Sequence, residues 1–227
     1  MKVSRLTGLF MALALLVCML GGAALAEAEG GVLAQIAGTY DELFPVITAE
    51  EYDQVWLDAC AEFGDAENAA QYAEMLKSFC TAEIYGEEAV AAYADGAQAR
   101  FNCSFIGGVA QITFADGHIS GVDENGATVF DHDYAYAGVD ASTGFAIYES
   151  ADEASGEFTY FLLAPDTPAT THHIEFRYGA DLEALGQFYE GACAYWLAAG
   201  IPVDGQDAYA VSSIRLFCEE NLAELAA

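Results

Sequence analysis

Thr128-Val129-Phe130-Asp131-His132-Asp133-Tyr134-Ala135-Tyr136 carries a ring at every second position from Phe130 onward, with acidic or small side chains between. A period of two belongs to a strand, so Phe130, His132, Tyr134 and Tyr136 share one face and Asp131 and Asp133 the other. The same parity returns in Thr171-His172-His173-Ile174-Glu175-Phe176-Arg177-Tyr178. There His172, Ile174, Phe176 and Tyr178 fall on one side, and His173, Glu175 and Arg177 on the opposite one. Around these two segments, from Arg100 to Tyr178, short runs of Phe, Tyr, Val, Ile and Thr are punctuated by turn residues. The punctuation is Gly107-Gly108, Asp116-Gly117, Glu124-Asn125-Gly126, Asp140 to Gly144 and Ala154-Ser155-Gly156. Such spacing predicts about six or seven hairpin-connected antiparallel strands, enough to close on themselves.

Outward from this unit the pattern becomes helical. On the N-terminal side, Thr48-Ala49-Glu50-Glu51 reads as a capping box before Val55, Trp56, Cys60 and Phe63. Asp65 can cap a second helix with Ala69, Tyr72, Ala73, Leu76, Phe79 and Cys80 on one stripe, and a weaker helix follows over Glu87 to Ala94. On the C-terminal side one helix is predicted from Asp181 past Trp196 to a Gly200-Ile201-Pro202 stop, and another from Asp207 to Leu225. The fold class is therefore α+β. A single domain over 35–227 has helices over 48–95, a barrel over 99–179 and helices over 181–226.

The 227 residues include 36 acids against 6 Lys and Arg, for a formal charge of -30. A chain so poor in cations lacks the footprint of a nucleic-acid or anionic-membrane binder, whereas it attracts cations. Lys2 and Arg5, the apolar run Leu9 to Leu20, and Ala24-Leu25-Ala26 form a signal peptide over 1–26, followed by a short leader over 27–34. The expected location is extracytoplasmic. Lipid attachment at Cys18 is the alternative reading of Leu15-Leu16-Val17-Cys18. Beyond the signal remain Cys60, Cys80, Cys103, Cys193 and Cys218, an odd number and without metal-type spacing.

All four histidines, His118, His132, His172 and His173, lie in the β section. His173 and Glu175 at i and i+2 present two donors on one strand face, a pair that suits Zn²⁺ if a neighbouring strand adds a third. His132 is the candidate third donor. The competing readings are a solvent face in which Glu175 pairs with Arg177, and a hydrogen-bonded core histidine at 132. No GxSxG elbow, HExxH helix, phosphate loop or dinucleotide fingerprint is present, so the chain reads as a non-enzyme.

Phe130-Asp131-His132-Asp133-Tyr134-Ala135-Tyr136-Ala137-Gly138, then Ala164-Pro165, then His172-His173-Ile174-Glu175-Phe176-Arg177-Tyr178-Gly179, in this order after a signal peptide and helices, resemble the ZinT-type zinc-binding domain of bacteria. The resemblance spans about residues 35 to 225 and takes in the Trp196 segment and last helix. It implies a lipocalin-like (calycin) barrel that binds Zn²⁺ or Cd²⁺ through histidines at the barrel mouth, and zinc capture beside the solute-binding protein of a zinc importer. His173 matches the first histidine of the family's His-x-His; Glu175 stands at the second, and Phe161 where a further family histidine falls. The metal set on this reading is His173, Glu175, His132 and His172. Two other functions are weighed beside it: a barrel that carries a small apolar ligand among Phe130, Tyr134 and Tyr136, and a surface interaction domain without a metal.

Overall fold

The computed structural model describes residues 31–80, 103–188, 191, 193 and 196–223. The signal peptide with Cys18, the start of the leader and the helix expected over Glu87 to Ala94 lie outside the described residues. Eight strands, β1 (Gly38–Glu42), β2 (Gln111–Ala115), β3 (His118–Val122), β4 (Thr128–Val139), β5 (Ala146–Ser150), β6 (Tyr160–Leu163), β7 (Ile174–Gly179) and β8 (Ala198–Pro202), form a closed antiparallel barrel in sequence order. Closure is made by β1, which pairs β2 on one side (Tyr40 with Ile112) and β8 on the other (Tyr40 with Pro202). Closing the ring leaves no unpaired edge.

The turn residues account for the hairpins. Gly117, at φ 68°, completes the two-residue Asp116-Gly117 turn between β2 and β3. Asp140 folds the β4–β5 turn by accepting from the backbone N–H of Ser142 and of Thr143. Inside the barrel, alternate residues meet as rings: Phe114, Phe130, Tyr134, Phe161, Phe176 and Tyr178 are all buried. Outside it, the helices α1 (Gly31–Gln35), α2 (Leu43–Ile47), α3 (Asp53–Phe63), α4 (Ala69–Phe79), α5 (Leu182–Gly186) and α6 (Gln206–Leu222) divide the labour. α1 joins the barrel core through Val32 and Leu33, with Ile36 just after it, while α2, α3, α4 and α6 form a second core against Ala199 and Ile201 of β8.

Three expectations need correction. Two strands come from segments outside the predicted barrel: β1 precedes the helices predicted from residue 48 on, and β8 takes the residues read as the end of a helix. The helix predicted from Asp181 to beyond Trp196 is only the five residues of α5. Its start is right, since Asp181 accepts from the Ala184 N–H at 3.1 Å. Its end is dictated by Arg177, whose guanidinium takes the carbonyls of Leu185 and Gln187, to which later turns of a helix would have bonded. Thr48, read as an N-cap, instead ends α2 and donates its hydroxyl to the Phe44 carbonyl at 2.6 Å. Asp65 does lead into α4, by accepting from the Asn68 N–H at 2.8 Å.

Candidate functional site

β7 divides its side chains between two environments. Phe176 and Tyr178 point into the aromatic interior, where they meet Phe161 with ring centroids 6.2 and 5.0 Å away. The alternate set must face outward. The cross-strand partners agree: Phe176 pairs with Ala198, of the barrel core, whereas Glu175 pairs with Ala199, of the helical core. Arg177, on the outward side, is fully buried beneath the segment that carries α5.

His173 lies one residue before β7, and its Nε2 stands 3.6 Å from Glu175 Oε1, with both side chains more than four-fifths shielded from solvent. The other ring nitrogen, Nδ1, donates to the Thr171 carbonyl at 2.8 Å. This bond orients the ring and leaves Nε2 toward the carboxylate. His172 sets up the geometry from behind: its φ of 68° makes it the sole non-glycine residue at positive φ among the described residues. A left-handed residue there lets the chain fold over Thr171, whose hydroxyl bonds back to the His173 carbonyl at 3.0 Å.

Other groups bear on the pair electrostatically. Burial by itself lowers the His173 pKa, but Glu175, Asp166 and the Thr171 carbonyl outweigh it, and the net pKa lies above the ordinary histidine value. Glu220 of α6 feels the same site: loss of solvent around its carboxylate raises its pKa, Glu175 and Glu219 add to the rise, and His173 opposes it. Cys103, buried next to β8 through the Ala199 N–H to Cys103 carbonyl bond, has its thiol pKa pushed up by burial and then by Glu175. Local sequence gives no signal for Asp166, Glu220 or Cys103 as neighbours of the pair, because each arrives from a different segment.

A folded-state pKa above the unfolded one means that the fold prefers the imidazolium, so this contribution is complete below about pH 6.5 and lost as pH rises through the native pKa. Without metal, the melting-temperature advantage of wild type over His173→Gln is therefore expected to be largest near pH 5.5 and to shrink above neutrality. An advantage that grows with pH would show that the ring is held neutral.

The other histidines are elsewhere. His132 takes the inward parity of Phe130 and Tyr134, stacks on Phe130 at 6.2 Å, and has Nδ1 2.8 Å from Asp152 Oδ2. It is therefore on the opposite side of the barrel wall from the outward pair, and the structure does not bring it to His173. His118 lies between Asp131 and Asp133, at 3.0 and 2.8 Å, on the outer face of the β3–β4 ladder. Among the described residues no three His, Cys, Asp or Glu side chains gather into a ready-made metal cage. Phe161 is inside the barrel with no exposed surface, so a histidine there would face away from the His173 and Glu175 side chains.

Inside the barrel, Phe114, Phe130, Tyr134, Phe161, Phe176 and Tyr178 are buried against one another as rings. A groove of about 560 Å³ lies outside the barrel, lined by Asp41, Glu42, Asp123 and Glu124 among others. Its carboxylates are partly used by the protein: Asp41 accepts from Gln111 and Gln206, Glu42 from the Phe105 N–H, and Asp123 from Asn125 and Ala127. No helix of the described residues is long and apolar enough to cross a membrane.

Among solved structures, the Zn(II)-bound ZinT-like domain of Streptococcus pneumoniae AdcA is similar at 18% identity over 84% of this chain and 89% of that one, with a TM-score of 0.46. Zn(II)-bound AdcA from Streptococcus pneumoniae is similar at 18% identity over 80% of this chain and 35% of that one, with a TM-score of 0.45. No protein-family model matches the chain, and no curated protein does.

Proposed function

We propose that this chain is a divergent, exported ZinT-like domain that captures Zn²⁺ without catalysing a reaction, with His173 Nε2 and the Glu175 carboxylate as its two central donors. Delivery to the solute-binding component of a zinc importer is the role this reading implies, with Cd²⁺ as a second ion of matching chemistry. The observation that carries it is the His173–Glu175 separation. At 3.6 Å it is longer than a direct N–H···O bond, whose range is about 2.7–3.2 Å. Two donors each about 2.1 Å from one tetrahedral Zn²⁺ stand about 3.4 Å apart. That spacing suits two ligands of one ion as well as an imidazolium–carboxylate pair, and the Nδ1 bond to Thr171 turns Nε2 toward Glu175.

With one protein donor on β7 and the other one residue before it, water completes the shell, and the affinity expected is on the order of micromolar. The charge of -30 raises the local concentration of cations but does not select among them. Selection falls to the imidazole, a nitrogen donor that Zn²⁺ favours over Ca²⁺. Export rests on the basic, apolar and small-residue segments of residues 1–26.

The test is competitive Zn²⁺ titration of the chain from Glu27 onward against a chromophoric chelator in excess Ca²⁺. His173→Ala and Glu175→Ala are each expected to weaken binding at least about tenfold. His132→Ala, on the other face of the wall, and His172→Gly, which accepts a φ of 68°, are expected to leave it within about twofold. If wild type fails to bind Zn²⁺, or if His173→Ala binds as tightly as wild type, the reading is wrong.

A further inference from the structure

Cys60 of α3 and Cys218 of α6 place their Sγ atoms 3.7 Å apart, both with no exposed surface, in the seam between the two helices. The seam is fixed on either side of them. Trp56 meets Phe217 edge-on with centroids 6.0 Å apart, and Arg215 bonds Glu62 at 2.8 Å. Cys80, at the end of α4, is turned elsewhere, with its thiol toward the Leu76 carbonyl at 3.7 Å.

We propose that Cys60 and Cys218 form a disulfide that staples α3 to α6, linking residues 158 positions apart in the chain. An S–S bond of about 2.05 Å requires each sulfur to advance about 0.8 Å, a displacement within the reach of side-chain rotation. The oxidant is an external disulfide, R–S–S–R. One cysteine thiolate attacks it and releases RS⁻, which takes up a proton. The second thiol then gives up its proton and displaces RS⁻ from the mixed disulfide. Two thiols lose two electrons and two protons, and one R–S–S–R becomes two RSH. Burial raises both thiol pKa values, so few thiolates exist once the helices have packed. The bond therefore forms as the chain folds rather than afterwards. The staple joins α3 to α6, and the helices between which it lies cover β8, whose pairing with β1 closes the barrel.

The test is to refold the chain from Glu27 onward in a mixture of oxidised and reduced glutathione, block remaining thiols by alkylation, and map the digest by mass spectrometry. The expected result is a Cys60–Cys218 linked peptide pair 2 Da lighter than the two thiol peptides. The melting temperature should stand about 10 °C above that of the same protein in reductant. A Cys60→Ala/Cys218→Ala double variant should lose that redox-dependent shift. The same digest on protein exported into an oxidising periplasm keeps the question decidable if refolding yields no native material. Alkylation of both cysteines in the oxidised protein, or linkage of either to Cys80 instead, would overturn the proposal.

Discussion

Replacing Arg177 by Met is expected to lower the melting temperature by about 10 °C or to prevent folding, a loss of about 4 kcal/mol. Arg177 has no exposed surface although it belongs to a chain with only 6 Lys and Arg. Its Nε donates to the Trp196 carbonyl at 2.7 Å, one terminal nitrogen serves Leu185 and Gln187, and the other serves Cys193. The guanidinium also lies over the Phe188 ring at 5.1 Å. Leu185 is in the last turn of α5, and the other carbonyls belong to the irregular segment between α5 and β8, where they are not part of a regular ladder. Met fills much of the same volume but donates nothing, so buried carbonyls are left without that donor, at about 1–3 kcal/mol each before relaxation. Arg177→Lys is expected to recover less than half of the loss, because one ammonium does not reproduce the planar fork. Chemical denaturation of the three proteins measures this directly. An Arg177→Met protein as stable as wild type would mean that the segment holds itself in place.

Arg177 also marks where the sequence is legible and where it is not. Alternation along Thr128 to Tyr136 and Ile174 to Tyr178 is a local property, and both stretches lie in strands, with Phe130, Tyr134, Phe176 and Tyr178 buried together as the parity implies, whereas His172 and His173 precede the strand. The Asp116-Gly117 and Asp140 to Gly144 turns are likewise local chemistry. By contrast, β8 is Ala-Ala-Gly-Ile-Pro, a composition with little strand preference, and it is a strand because β1 and β7 supply its backbone partners. β1 has the same dependence, being only five residues long with Asp41 and Glu42 at its end. The cut end of α5 depends on a guanidinium that reaches in from another element.

The site follows the same division. That His173 and Glu175 share a side is legible from the two-residue period. That this side faces the helices and not the barrel interior is decided by which set of rings fills the interior, and both sets adjoin residues able to be buried. Arg177 was the misleading signal: a charge beside His173 and Glu175 reads as solvent-facing, yet it is buried by donating to backbone carbonyls. His132 shares its parity with Phe130 and Tyr134, but parity carries no information about which side of a closed wall another strand's histidine occupies.

Replacing Phe161 by Ala is expected to cost about 3–5 kcal/mol and to open an apolar cavity in the space of the lost ring. Phe161 sits where five rings meet: Phe114 at 6.1 Å, Phe130 at 5.9 Å, Tyr134 at 5.3 Å, Phe176 at 6.2 Å and Tyr178 at 5.0 Å between centroids. Several neighbours are pinned by polar ends, so they cannot collapse freely into the space. Tyr178 donates its hydroxyl to the Ile106 carbonyl at 3.0 Å, and Tyr134 donates to the Phe158 carbonyl at 2.5 Å. A cavity lined by such rings stays dry and takes up a small apolar molecule such as benzene. The measurement is thermal melting with and without saturating benzene. Wild type should show no shift, whereas Phe161→Ala should melt lower and regain several degrees when benzene is present. The same experiment separates two functions for the barrel. A carrier of apolar cargo would have its wild-type melting point raised by apolar ligands, whereas the packed rings around Phe161 lead us to expect no such rise. Zn²⁺ titration of Phe161→Ala, at a temperature where the variant is folded, should match wild type within about twofold, since the proposed donors His173 and Glu175 lie outside the wall. Loss of zinc affinity in a folded Phe161→Ala protein would place the ion within reach of the interior after all, and the outward assignment of the His173–Glu175 site would fail.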